Sequence, residues 1–209
     1  AGGLLVKKFT NDGLDAFTVT WIPFLVGGSI AFIHGMLRKE LVLSAVPAGI
    51  LLGLFSSLGP SLIFNTGFDR LPAGINTLLI SLGPIFTAIV AHFVFADERF
   101  NLLKALGLIT AYAGVAVLAF SSLDDGGDIV DILLVLGGAA IAGGAGVLTR
   151  HLTLRHEPMA LMAPNLLIAG LISMILTFSF DLGTRPANGF ASWHIPMLFV
   201  FGLITYLSF

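Results

Sequence analysis

The stretch LVLSAVPAGILLGLFSSLGPSLIFN, residues 41–65, contains no charged side chain. An α-helix rises about 1.5 Å per residue, so about 20 such residues cross the roughly 30 Å hydrocarbon layer of a bilayer. The stretch is long enough to span, and no side chain in it demands water. Its Ala45, Gly49, Gly53, Ser57, Ser61 and Asn65 recur every fourth residue. That spacing lines small and polar groups along one helix face, which lets membrane helices approach closely. Tight packing is the first reading of the ladder. Pro60 adds another, since a proline bends a helix and frees a carbonyl for a ligand.

The same pattern recurs on both sides. Apolar runs cover 17–37, 72–96, 102–120, 130–149 and 159–178, and with 41–65 they make six complete spanning helices. The opening 1–6 reads as the tail of a helix already under way, and 197–209 as a helix cut short. The chain is therefore expected to be truncated at both ends. Its composition agrees with this reading: 56% of its 209 residues are hydrophobic and 11% charged, with a mean hydropathy of +1.00. A soluble domain carries about 25% charged residues, so this surface must face lipid. The runs lack the alternation of a membrane barrel, and an open sheet edge in lipid leaves backbone groups unpaired. The expected fold class is all-α, a polytopic transmembrane helix bundle, multi-pass in a cell membrane.

The charges also exclude partners. A net charge of −2 creates no field for nucleic acid, and the absence of Cys excludes disulfides and thiolate metal sites. No metal or cofactor is expected. Arg38, Lys39, Arg99, Lys104, Arg150 and Arg155 fall on one side of the predicted helices. Lys7, Lys8, Arg70, Arg185 and the acidic Asp124, Asp125 and Asp128 fall on the other. Positive charge marks the cytoplasm, so the first complete helix runs from outside to inside. Trp193 and His194 sit where an interfacial anchor belongs.

A faint internal repeat accompanies this alternation. A shift of 143 residues lays Gly3 on Gly146, Lys7 on Arg150, Thr10 on Thr153 and Gly27 on Gly170. After a longer loop, Leu52-Gly53-Leu54 falls near Phe201-Gly202-Leu203. The matched helices lie five apart, so the copies are inverted in the membrane. Transporters commonly use this plan, with the substrate near the midplane between copies.

The stretch LPAGINTLLISLGPIFTAIVAHFVFADERFNLLKALGLITAYAGVAVL, residues 71–118, resembles the EamA-type permeases of the drug/metabolite transporter superfamily. A small-residue helix with a central proline, an acidic end and a helix with two spaced glycines carry the resemblance: Pro84, Glu98, Gly107 and Gly114. It implies ten helices in two inverted five-helix repeats. Residues 1–120 would form the first repeat, lacking most of its first helix. Residues 121–209 would form the second, cut within the eighth helix. One departure is Pro23, where many relatives carry an Arg near the start of the second helix.

The run 72–96 carries the candidate site. At about 100° per residue, Asn76, Thr77, Ser81, Pro84, Thr87, Ala88, Ala91 and His92 share an arc of roughly 160°. Leu78, Leu79, Leu82, Ile85, Phe86, Ile89 and Phe93 take the other side. Small and polar groups belong against protein or a wet cavity, and bulky apolar groups against lipid. The face either lines a cavity or packs helices, and both can hold at once. Asn76, Ser81 and His92 are the candidate substrate-binding residues, with Ser57 on the preceding helix. Asn76 offers a donor and an acceptor, Ser81 a hydroxyl and His92 a titratable ring. Pro84 leaves a carbonyl near Ile80 without its helical partner. No Asp, Glu, Arg or Lys lies deep in a complete helix, which suits a polar, uncharged or zwitterionic small molecule. His34 and His92 each lie about a turn from a helix end, where an interfacial histidine is the plain reading. The segment GGAAIAGGAG, residues 137–146, reads as close packing first and a hinge second.

Phosphate loops, GxSxG and HExxH motifs are absent. Three classes of function stay open on residues alone. The leading one is a secondary transporter of a small metabolite or drug-like solute. The others are an intramembrane enzyme on lipid or peptide, with Ser57 and His92 as nucleophile and base, and a non-transporting helical subunit.

Overall fold

In lipid the backbone finds no water, so every N–H and C=O must pair within its own segment. Each apolar run accordingly folds as helix. The computed structural model describes residues 2–12, 14, 16–95, 102–124, 128–179 and 193–207. Among them lie α1 (Gly2–Asn11), α2 (Ala16–Arg38), α3 (Leu43–Arg70), α4 (Ala73–Val94), α5 (Leu102–Asp124), α6 (Ile129–Thr153), α7 (Pro158–Ser179) and α8 (His194–Leu207). No strand occurs among the described residues. The fold is an all-α polytopic bundle. Five helices, α2, α3, α4, α6 and α7, are long and apolar enough to cross a membrane. The run at 102–120 folds as the 23-residue α5, which reaches about 35 Å. Residues 97–101, Asp125 and Arg185 lie outside the described residues.

Two of the spanning helices are not uniform. In α3 a 3-10 turn at Leu43–Ala45 leads into α turns, and then into a π turn at Gly53–Leu58 just before Pro60. In α4 the α geometry stops at Ile80 and resumes at Gly83. Leu82 N donates to Leu79 O at 3.2 Å, a tighter pitch than α. Pro84 sits in the first turn after the break and has no N–H for Ile80 O. The break thus falls where the central proline lies.

Small residues set the helix contacts. α2 and α7 form the most extensive pairing, with α8 against α2 and α3 against α7. A Cβ built on Gly28 would lie 2.9 Å from Leu167 N, and one on Gly170 would lie 2.9 Å from Leu25 N. Ala31, Met162, Ala163 and Leu166 fill the space beside them. The ladder on α3 faces α7 at Gly49 and Gly53 and then turns to α2, where Asn65 Nδ2 donates to Thr20 Oγ1 at 2.7 Å. Such interhelical bonds contribute about 0.6 kcal/mol on average in lipid. In the 137–146 segment, Gly138 and Gly143 press on α3 and α4, whereas Gly137 and Gly144 face open space. Gly107 and Gly114 on α5 also face open space.

The charged groups collect at two ends. At one end Lys7 Nζ bonds Phe68 O and Leu71 O, and Arg70 meets Asp131 at 3.0 Å. His194 Nε2 and Asp12 Oδ2 lie 3.1 Å apart. Trp193 stacks on Phe9 and carries Lys8 over its ring. Asp128 caps α6 through Val130 N at 2.9 Å. At the other end Arg150 lies over Phe95. There α2 ends in a Schellman turn, with Glu40 N on Gly35 O and Lys39 at a φ of 59°. Asp131 serves both as a first-turn acid and as the partner of Arg70. Bulky side chains such as Ile33, Leu37, Phe93, Ile109, Val117, Ile175 and Phe199 remain exposed, and lipid is the solvent that tolerates them.

Candidate functional site

The four predicted site residues do not meet at one point. Ser57 is buried in the π turn of α3, and its hydroxyl donates to Asn165 Oδ1 on α7 at 2.7 Å. Asn76 is fully buried, where Nδ2 donates to Phe64 O at 3.0 Å. Its Oδ1 has no partner and faces Gly67, whose added Cβ would lie 2.3 Å away. Ser81 is exposed and bonds Leu78 O of its own helix at 2.6 Å. His92 is half-buried near the helix end, with its ring 5.0 Å from that of Phe93.

Among the described residues Ser81 does not share the buried edge of α4 with Asn76. The reason lies in the width of the arc. Ser81 is about 140° and His92 about 160° round the helix from Asn76. Packing against α3 at Asn76 and against α6 at the bulky Leu79 chose this edge and turned the Ser81 edge outward. Asn76→Ala is expected to lower stability by roughly 1–2 kcal/mol through the lost bond and the space opened beside Gly67. Ser81→Ala should leave it unchanged. Thermal unfolding of both variants in detergent checks the pair, and equal melting of the two would contradict the assignment.

Ser57 leads to a cavity that the sequence reading did not identify. About 310 Å³ of space opens among α3, α6, α7 and α8. Its walls are mostly apolar, from Leu52, Met159, Leu161, Met162 and Leu207, with polar groups at Thr149, Thr153, Asn165 and Tyr206. Among the described residues no charged side chain lines it. Tyr206 is held by a hydrogen bond between its hydroxyl and His34 Nδ1, so His34 has a structural partner rather than a free interfacial ring. None of the four predicted residues, Ser57, Asn76, Ser81 and His92, is among the lining residues, and Ser57 touches the cavity only through Asn165. One sequence signal pointed here: Asn165 is the single amide in the apolar run 159–178. A deep polar group in such a run marks either a helix contact or a solute path.

Ser57 also bears on catalysis. Its hydroxyl is committed to an amide oxygen, which cannot act as a general base. No group of three or more metal-ligating side chains occurs among the described residues.

Comparison with known proteins places this arrangement. The EamA-like transporter family matches residues 1–120. An uncharacterized transporter of Archaeoglobus fulgidus is 25% identical over 167 residues, covering 80% of this chain and 59% of that protein. The uncharacterized transporter YdfC of Bacillus subtilis is 28% identical over 141 residues, covering 64% of this chain and 46% of that protein. The chain thus spans about half the length of the curated relatives it matches. No solved structure matches.

Proposed function

The chain belongs to the EamA-like transporter family, and we propose that it works as part of a secondary transporter moving a small, polar but uncharged or zwitterionic solute across the cell membrane. The cavity among α3, α6, α7 and α8 is the observation that carries this reading. It is mostly apolar, has a few convergent polar groups and no charged lining side chain among the described residues, which suits a neutral small molecule. It lies beside the π turn of α3, and interrupted helices are where transporters build their sites. The commitment of Ser57 to Asn165 favours a permease over an intramembrane hydrolase.

A two-repeat plan, with residues 1–120 and 121–209 as inverted copies, fits reciprocal contacts. Gly53 of α3 presses on Asn165 and Ile168 of α7, while Gly202 of α8 presses on Pro23 and Val26 of α2. Exchanging α2 with α7 and α3 with α8 turns one contact into the other. At Pro23 the contact is made by the backbone carbonyl oxygen. The α4 residues Asn76, Ser81 and His92 remain proposed path residues. Ser81 takes that role only where helices beyond this stretch cover the exposed face of α4.

Uptake by the intact protein in proteoliposomes tests the function. Saturable flux of a neutral or zwitterionic solute is the expected result. Turnover of a lipid or peptide without flux would replace this reading with the enzymatic one. The direction across the membrane has its own test. A Cys placed at Lys39 or Arg155 should be labelled from the cytoplasm and one at Arg70 from outside, in a stretch of 209 residues that has no native Cys. The opposite labelling would invert the topology.

A further inference from the structure

We infer that Asn165 is the donor subsite of the cavity, selecting solutes that carry a carbonyl or carboxylate oxygen together with an N–H group on a compact apolar body. The inference rests on the transport reading for the use of the cavity. It begins from hydrogen-bond inventory. Asn165 is 2% exposed, yet it lines the cavity. A carboxamide has one acceptor oxygen and two N–H donors. Oδ1 is occupied by the Ser57 hydroxyl at 2.7 Å. Nδ2 has no protein partner among the described residues. The enclosed side-chain atoms without partners there are Trp21 Nε1 and Asn76 Oδ1, so the unpaired Nδ2 is open to the cavity. A buried amide in lipid without a partner costs free energy. A solute oxygen is the group that relieves that cost.

Thr149 and Thr153 present the opposite chemistry, while the Tyr206 hydroxyl is engaged by His34. Thr149 Oγ1 donates to Ala145 O at 2.8 Å, and Thr153 Oγ1 donates to Arg150 O at 3.0 Å. Each hydroxyl has one hydrogen and spends it on its own helix, so each offers only lone pairs to the cavity. The cavity therefore offers a donor at Asn165 and acceptors at Thr149 and Thr153. An amide or an amino acid supplies both complements. A simple amine lacks the oxygen, and a simple carboxylate lacks the N–H. The absence of a charged lining side chain among the described residues disfavours both ions further, since each would enter unneutralised. Ser57 acts through Asn165 as a positioning residue, because its hydroxyl fixes which edge of the carboxamide meets the solute.

The test uses the intact protein in nanodiscs for binding and in proteoliposomes for flux. The probes are isovaleramide, leucine, isovalerate and isoamylamine, which share a branched apolar body. Isovaleramide or leucine should be held, and the two simple ions should not. Asn165→Leu should weaken the held probe about 10- to 100-fold, the effect of one buried hydrogen bond. Asn165→Asp has nearly the same shape and, at a pH high enough to ionise it, no donor, and there it should weaken that probe at least as much. The Asp variant carries the comparison if the Leu variant melts early. Wild-type affinity in either variant at normal thermal stability would overturn the subsite and leave the transport reading intact. So would isoamylamine binding as tightly as isovaleramide. Retained affinity in Asn165→Asp alone would mean that the cavity needs an acceptor there, which reverses the assignment. Binding of isovaleramide or leucine without flux would keep the subsite and overturn transport. Neither binding nor flux of any probe would overturn both.

Discussion

Gly53→Val is expected to remove most of the folded protein from the membrane. A Cβ at Gly53 would stand 2.1 Å from Ile168 Cγ2 and 2.6 Å from the Asn165 carbonyl oxygen. The isoleucine methyl can swing away, but the carbonyl belongs to the backbone of α7 and moves only with the helix. Helices α3 and α7 must then separate at the contact that also holds Ser57 against Asn165. Overpacking of this kind costs on the order of 3 kcal/mol. That is a large part of the roughly 5–15 kcal/mol that holds a domain folded. The Val substitution at Gly74, which faces open space, serves as the control. Fluorescence-detected gel filtration and thermal unfolding of the two variants give the comparison. A Gly53→Val protein that elutes and melts like the control would show that α3 and α7 do not pack this closely.

The second large effect lies between two neighbouring glycines of α6. Gly143→Val should destabilise strongly, and Gly144→Val should not. An added Cβ at Gly143 would lie 2.5 Å from Phe86 Cβ, 2.7 Å from Thr87 N and 2.9 Å from Gly83 O. Two of these are backbone atoms of α4 in the turn just after its break, so no rotamer change relieves the clash. Gly144 has nothing within 4 Å. The expected cost at Gly143 is again on the order of 3 kcal/mol, and the cost at Gly144 is within about 0.5 kcal/mol of zero. The pair also separates the two readings of the GGAAIAGGAG segment. A hinge that relies on glycine freedom would lose transport in both variants. A packing surface loses stability at Gly143 alone. Normal melting of Gly143→Val, or equal loss of transport in both, would point to the hinge.

Much of this molecule was legible before any coordinate. The uncharged stretch 41–65 fixed a spanning helix, and its four-residue ladder announced a contact face that Gly49 and Gly53 realise. The alternation of charged loops placed Lys7 and Arg70 at one end and Arg150 at the other, where their contacts put them. The site was legible only in part. Ser57 was found, because a hydroxyl on a small-residue ladder has to meet another helix. Its partner Asn165 was passed over, although it is the sole amide in its run. Asn76 and Ser81 share one predicted face, of which the described helices bury only the Asn76 edge.

The division has one physical source. Lipid acts on every residue alike: it demands internal hydrogen bonds, length and apolar side chains, and a single chain carries all of these in its own order of residues. Helices, their ends and their alternation therefore followed from sequence. The rotation of each helix about its axis has no such local cause. A small or polar residue is equally at home against a neighbour, a cavity or its own carbonyl, as Asn76, Asn165 and Ser81 respectively show. Only the partner helix decides among these, because close packing rewards whichever edge of a broad face fits it best.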